Sequence, residues 1–414
     1  MTERVHIRQI GHRGDGIGEG EAGPVFVPFT LEGETVTIER EPNQNGQRGR
    51  LVSVESESPD RVPPICRHFG TCGGCALQML SLDGNRALKR RFVVDALIQQ
   101  AIDVPVDETI GLSPGERRRA TLTARKAGAD VLLGYHERQS KAIIDIAECP
   151  VLVPEIAGRK DALRAIVKKL RPTKQPARLT VLASETGLDV DIAEVRPLEP
   201  GPKLHTDLVA LCRKSGIARL TIAGELAVKL ADPQLTIADV TVRPQPAAFA
   251  QAAIAAERAM SDLVCGHLSG CKSVADLFSG FGTFSLALAR FAKVHAVEVD
   301  ADALAALQDA VRHASGLKAV STERRDILRF ALSARELDRF DGAVFDPPRA
   351  GAKAQAAEMT GSKLRKVAAI SCNPATFSRD SRILIDGGFR LERVVPVDQF
   401  VFSAETEIIG LFAR

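Results

Sequence analysis

The sequence predicts an α/β chain. Its last third should form a doubly wound, mostly parallel sheet, preceded by a small β-barrel and a mixed α+β segment. Three observations carry this. Nearly continuous apolar runs alternate with helical patterns over residues 247–414, short runs broken by Gly-rich turns fill residues 1–58, and strand-like and helix-like runs mix between them. A chain of 414 residues, 45% hydrophobic and 26% charged, suits two to three globular domains and excludes wholesale disorder. We set the domains at 1–58, 59–246 and 247–414.

In the first domain Val5–Ile10 alternates, Gly14–Gly18 turns the chain, and Val25–Phe29, Glu34–Ile38 and Gly49–Val54 follow. Short strands with Gly-rich turns and no helical period predict a barrel. Ser56–Pro64 reads as a linker, followed by a Cys-rich knot and a helix from about Leu80 to Ala101. Over 110–245, strands such as Leu188–Ile192 and Leu220–Ile222 mix with helices such as Glu155–Lys169. From Ala247 the predicted strands are Ser273–Phe278, Val294–Val299, Ala319–Thr322, Gly342–Phe345, Val367–Ser371, Leu391–Val397 and Glu407–Phe412. The interior ones are almost wholly apolar, as parallel strands buried on both faces should be. Three end in polar residues, where such sheets bind ligands.

The net charge is +3, but residues 1–60 hold 6 Lys/Arg against 11 Asp/Glu, so the basic excess lies downstream. With 17 Phe, one Tyr and no Trp, a nucleic-acid surface would depend on Arg and Lys more than on stacking. The start Met1–Arg8 lacks an apolar core behind a basic segment, and no apolar run approaches ~18 residues. Neither a secretory signal nor a membrane span is expected. Eight unevenly spaced cysteines then suggest metal ligands, reactive thiols or core fillers in a reducing compartment, so a cytoplasmic location is expected.

Four motifs carry chemistry. Asp276-Leu-Phe-Ser-Gly-Phe-Gly-Thr-Phe-Ser285 follows a strand and opens a helix, with Gly280 and Gly282 allowing a tight turn against a ligand. Glu298 ends the next strand where ribose hydroxyls would lie. A dinucleotide loop would carry a third glycine where Ser285 stands. An Asp before the turn with two glycines fits S-adenosylmethionine better, because that molecule has no pyrophosphate for a helix N-terminus to hold. An ordinary βα turn is the plain alternative.

The second motif is Asp346-Pro-Pro-Arg349. Its prolines stiffen the chain at a strand end. Amine-directed methyltransferases usually place an aromatic residue after the Pro-Pro, so Arg349 argues for different chemistry. The third motif, Ser371-Cys-Asn-Pro374, sets a thiol at the carboxyl end of a central strand, placed like a nucleophile. Cys212, Cys265 and Cys271 lack polar companions and read as structural. The fourth lies near the C-terminus, where Asp398-Gln-Phe400 and Glu405-Thr-Glu407 offer a carboxylate to the same cleft.

Together these stretches resemble the S-adenosylmethionine-dependent RNA 5-methyluridine methyltransferases. The N-terminal barrel and Cys knot extend the likeness over almost the whole chain, to the iron–sulfur rRNA uracil methyltransferases in particular. The resemblance implies a Rossmann-like methyltransferase domain, a TRAM (OB-like) N-terminal barrel, and a segment near 80–109 that packs on the C-terminal domain. It implies Cys372 as nucleophile and Glu407 as base, and it places Gln251, Phe278, Thr283, Glu298, Asp326 and Asp346 at the cofactor. Ser279 departs from the usual Cys and Thr283 from the usual Asn, while Asp326 stands where Asn is also found. Val401–Thr406 departs from the usual Pro-x-Thr-x-His-Val run, which bears on substrate contacts and the fine placement of the base.

Cys66-x5-Cys72-x2-Cys75 packs three thiols into ten residues, and Cys149 offers a distant fourth. By spacing, four thiolates suit zinc or an iron–sulfur cluster; the resemblance implies a 4Fe–4S cluster. His68 reads as a solvated loop residue. Arg86, Lys89, Arg90, Arg91, Arg117–Arg119, Arg125 and Lys126 are candidate phosphate contacts, or else a solvated charged face. The acidic barrel could bind RNA only through a local patch of Arg4, Arg8, Arg13, Arg48 and Arg50.

The resulting expectation is methylation of a uridine C5 in rRNA, 23S above all, by a monomer without an obligate protein partner. The alternatives are a tRNA uracil-54 methyltransferase, a non-catalytic iron–sulfur RNA-binding protein, and a nicotinamide dehydrogenase disfavoured by the missing glycine.

Overall fold

A computed structural model describes residues 2–21, 23–41, 47–198 and 201–414. Thr2–Ile10, Asp15–Gly20, Gly23–Pro28, Thr35–Arg40 and Gly49–Ser56 form a five-stranded antiparallel sheet. Its edges meet where Phe26 bridges Arg48, and Val5, Ile7, Val25, Val27, Val36 and Ile38 fill the interior. The alternation seen in the sequence is this inside–outside period of two.

The middle of the chain forms a seven-stranded sheet around Arg119–Ala127 and Ala177–Ser184. The helix expected over 155–169 is two pieces, Pro154–Ala157 and Lys160–Lys169, broken at Gly158 and Arg159. The hairpin of Leu235–Ile237 and Val240–Val242 packs with Leu182 of this sheet and with Phe281, Leu286 and Leu307 of the C-terminal region.

The C-terminal sheet runs in the order Val320–Arg324, Lys293–Glu298, Ser273–Leu277, Gly342–Phe345, Lys366–Ser371, Glu407–Ala413, Arg390–Asp398, Ile110–Gly111. The first five strands are parallel, as the apolar runs predict. The last strand in sequence is not: Glu407–Ala413 is antiparallel and inserts between Lys366–Ser371 and Arg390–Asp398. Burial on both faces gives the same apolar signature in either direction, so composition could not reveal the reversal. The reversal brings the start of that strand to the carboxyl edge of the parallel ones.

One helix ties the N-terminal sheet and the Cys-rich segment to the C-terminal core. Ser81 accepts a hydrogen bond from the Gly84 N–H and caps Leu82–Gln99. Leu88 and Phe92 pack with Ile10, Leu31, Leu77 and Met79, while Val93 and Leu97 enter the C-terminal core beside Phe377 and Val394. Four such buried side chains contribute on the order of 6–12 kcal/mol gross. Ile110–Gly111, just beyond, extends the C-terminal sheet in parallel with Arg390–Asp398.

Candidate active site and thiol cavity

The carboxyl edge of the C-terminal sheet collects the residues singled out in the sequence. Phe278, at φ 64°, turns the chain out of Ser273–Leu277. Gly282, at φ 103°, caps the helix that Thr283 begins, and a Cβ there would lie 2.5 Å from Leu307. Only glycine serves at that point. Glu298 holds the loop in place: its carboxylate accepts the N–H groups of Gly280 (3.0 Å), Val299 (2.7 Å) and Asp300 (3.0 Å). A carboxylate has about four acceptor sites, so one remains for a hydroxyl. Asp326 lies past the next strand, accepting from the Arg329 N–H.

Asp276 is fully buried beneath the loop. It accepts the Ser285 hydroxyl at 2.6 Å through Oδ2, while Oδ1 has no partner. Burial pushes its carboxyl up to about 7, with help from Asp346 and Glu298. Ser285, which broke the dinucleotide pattern, is therefore the partner of this acid.

The Asp346-Pro-Pro-Arg349 loop is fastened by the Ala352 N–H on Asp380 (2.7 Å) and by Asn373 Nδ2 on the Arg349 carbonyl (3.2 Å). Cys372 follows Ser371, and Asn373 caps the helix Pro374–Asp386. In the antiparallel register Ser371 faces Ile408, and the next residues, Cys372 and Glu407, lie close enough to interact electrostatically. A polar chain links the rest: Gln251 Nε2 donates to Asp346 (3.3 Å), while Gln399 Nε2 donates to Gln251 Oε1 (2.9 Å) and Glu407 Oε1 (3.0 Å).

Burial raises Asp346 to about 7 and Glu407 to about 8, the latter also through repulsion from Asp346 and Glu405. The Cys372 thiol is pushed to about 11 by burial and by Glu407, while Arg349 opposes the shift. This site is thus a cluster of buried acids whose ionised forms a cationic ligand would stabilise.

Gln399 was not singled out from sequence, and Arg118 was read there only as a candidate phosphate contact. Arg118 donates to the Gln251 carbonyl (3.1 Å) and pairs with buried Glu257 (2.6 Å), fixing the segment that bears Gln251. Arg118 is therefore not a phosphate contact, and neither is Lys89, which is 0% exposed and paired with Asp398. Both lie in runs of charge whose other members are only half-buried, so spacing alone did not mark them. Of the barrel arginines, Arg4, Arg8, Arg48 and Arg50 are paired with Glu55, Glu19, Asp15 and Glu39. The patch is mostly neutralised.

Cys66, Cys72, Cys75 and Cys149 line one cavity of about 240 Å³ with Tyr135 and Arg117. The distant Cys149 is brought in by the Arg67 N–H on Glu148 (2.9 Å) and the Ala147 N–H on His68 Nε2 (2.9 Å). His68 is thus a structural tie rather than a solvated residue. Burial raises the Cys72, Cys75 and Cys149 thiols, Cys75 to about 12, and they repel one another as thiolates. Among the described residues no three His, Cys, Asp or Glu side chains converge on a single ion position. Four thiols around one hollow suit an iron–sulfur cluster in donor type. Tyr135, the only tyrosine in the chain, lines this cavity beside the Cys149 thiol. Its rarity was the available signal.

The sheet order and its acid-lined carboxyl edge define an S-adenosylmethionine-dependent methyltransferase class. Residues 225–414 match the family model described as tRNA (uracil-5-)-methyltransferase. An uncharacterized RNA methyltransferase of Rhizobium meliloti is 45% identical over 100% of both chains. The 23S rRNA (uracil(1939)-C(5))-methyltransferase RlmD of Methylococcus capsulatus is 32% identical over 99% of this chain and 96% of its own. In fold, the crystal structure of a Pyrococcus abyssi tRNA (uracil-54, C5)-methyltransferase with S-adenosyl-L-homocysteine aligns at a TM-score of 0.77, 21% identity and 99% coverage of both chains. The chain belongs to the S-adenosylmethionine-dependent RNA (uracil-5-)-methyltransferase family. The dehydrogenase and non-catalytic readings fall with that. No helix among the described residues is long and apolar enough to cross a membrane.

Proposed function

We propose that this protein methylates C5 of a uridine in 23S rRNA through a transient bond between Cys372 and C6 of the uracil. The observation that carries the reading is that Cys372, just past the Ser371–Ile408 pair that ends the ladder, feels the Glu407 carboxylate beside an acid-lined ligand loop. C5 of uracil is too weak a nucleophile alone. Once the Cys372 thiol has lost its proton, addition of the thiolate to C6 makes C5 an enolate carbon, which attacks the methyl group as the carbon–sulfur bond of the sulfonium breaks. S-adenosylhomocysteine leaves, Glu407 takes the C5 proton, and expulsion of sulfur from C6 restores the enzyme.

The electrostatics favour this order. The thiol is protonated in the ligand-free cleft, and a sulfonium donor brings positive charge among Asp276, Asp346 and Glu407, easing thiolate formation. Gln251, Phe278, Thr283, Glu298, Asp326 and Asp346 are the donor-side residues in this reading. The target base must leave its stack, at roughly a few kcal/mol, so a looped-out uridine is favoured.

The choice of 23S rRNA is supported by the 32% identity to an enzyme of that name over nearly full length. Cys66, Cys72, Cys75 and Cys149 would hold a 4Fe–4S cluster, which supplies a covalent cross-brace of the loop. The five-stranded N-terminal sheet would be a TRAM-like RNA contact.

Mapping 5-methyluridine across rRNA and tRNA, with and without the protein, tests the assignment. Loss of one 23S position supports it; loss at tRNA position 54 makes this a tRNA enzyme. Cys372→Ala should abolish methyl transfer, and Glu407→Gln should trap a denaturation-resistant protein–RNA adduct. Retained transfer by the alanine variant removes the covalent step.

A further inference from the structure

Gln399 is buried beside Gln251 and Glu407 with both polar atoms of its amide engaged. It is 3% exposed. Its Oε1 accepts the Ala252 N–H at 2.9 Å, and its Nε2 donates to Gln251 Oε1 and Glu407 Oε1. The orientation is set from both ends. The Ala252 N–H can only donate, so it requires the Gln399 carbonyl. Gln251 gives its own N–H to Asp346, which turns its oxygen toward Gln399. The amide thus reads Ala252 → Gln399 → Glu407 in one direction only.

We propose that Gln399 is a positioning residue. It aims the Glu407 carboxylate at the proton it must remove, sets how much of Glu407 is ionised, and ties that base to the donor-side Gln251. The inference rests on the covalent uracil-C5 mechanism above.

The surroundings give the amide this leverage. Asp346 and Cys372 face Glu407 from the neighbouring strand ends, and Glu405 faces it from its own loop, with Arg349 held on Glu405. All but Arg349 disfavour a second negative charge. The N–H of Gln399 is the group that favours the ionised Glu407. The turn bearing Gln399 is itself clamped, because Lys89 Nζ pairs with Asp398 and donates to the Phe400 carbonyl at 2.9 Å.

The test uses full-length protein with its cluster, a uridine-containing rRNA fragment and S-adenosylmethionine. Gln399→Met keeps length and volume but removes both donors. We expect the rising limb of its kcat–pH profile to move up by about one unit, equivalent to about tenfold slower turnover below the limb. KM for RNA and for S-adenosylmethionine should change little. Proton removal follows methyl transfer, so this variant should also accumulate the denaturation-resistant RNA adduct at neutral pH and discharge it as pH rises. Gln399→Glu keeps the acceptor for Ala252 and serves if the methionine variant folds poorly; its added acid should move the limb further the same way. Wild-type-like pH profiles and no adduct, in protein whose wild type methylates uridine, overturn the positioning role. A wild type that forms no 5-methyluridine overturns the underlying mechanism instead.

Discussion

Replacing Lys89 by Met should cost about 3–4 kcal/mol of stability at pH 7. The lysine is 0% exposed and Asp398, its partner 309 residues away, is 2% exposed, so neither charge is shared with water. Methionine retains the length and most of the methylene packing, a loss below ~1.5 kcal/mol. What disappears is the pair itself and the donor to the Phe400 carbonyl. Removing one member of a buried pair typically costs ~3–5 kcal/mol, because the other is stranded. The stranded acid can escape by taking a proton. For an aspartate titrating near ~3.9 this costs about 4 kcal/mol at pH 7 and falls by about 1.4 kcal/mol per pH unit.

The deficit should therefore shrink to about half by pH 5. Replacing Asp398 by Leu in the same protein should recover most of it, since a packed apolar pair is often as stable as a buried ionic one. Urea or thermal melts of the two single variants and the double variant read this directly. A deficit below ~1 kcal/mol, one that grows as pH falls, or no recovery in the double variant would refute the argument that desolvated charge holds this joint.

The buried acids of the cleft make the ligand-free protein pH-sensitive. Asp276 and Glu407 hold protons in the folded state up to about 7 and 8 that the unfolded chain releases near its ordinary carboxyl range, so stability should fall as pH rises through that window. Asp276→Asn should stabilise ligand-free protein at pH 8 by an amount of order a few kcal/mol, read as a raised melting temperature, and weaken S-adenosylmethionine binding measured by calorimetry. Serine at any one of Cys66, Cys72, Cys75 or Cys149 should abolish the iron absorbance of anaerobically purified protein; full iron content in the Cys149→Ser variant would remove that ligand. Arg349→Ala removes the cation that opposes the Cys372 shift, so iodoacetamide should label Cys372 more slowly at fixed pH in ligand-free protein; faster labelling would contradict that assignment.

How much of this was legible depends on how local the signal is. The C-terminal strands could be found because burial on both faces leaves a run of apolar residues that needs no partner to be recognised. Cys372 and Glu407 were visible through company: each is ordinary alone, but both close or open a strand beside a glycine loop. Gln399 was not visible, although it lies in a segment already singled out. Its role depends on which way an amide points between two residues, Gln251 and Glu407, that are distant from one another in sequence. Lys89 and Arg118 were misplaced for the converse reason. A charge run looks the same whether its members face water or a buried carboxylate.

The chain alone, then, determined the apolar strands, the glycine turn, the four thiols and the chemistry of the reactive side chains, because these follow from residue type and short spacing. Only the tertiary structure decided that the final strand runs backwards between its neighbours, that Cys149 returns to the other three thiols, and that a buried lysine joins residues 89 and 398. Those outcomes depend on long-range pairing, where a favourable contact exists only after distant segments have met and the desolvation of their polar groups has been compensated.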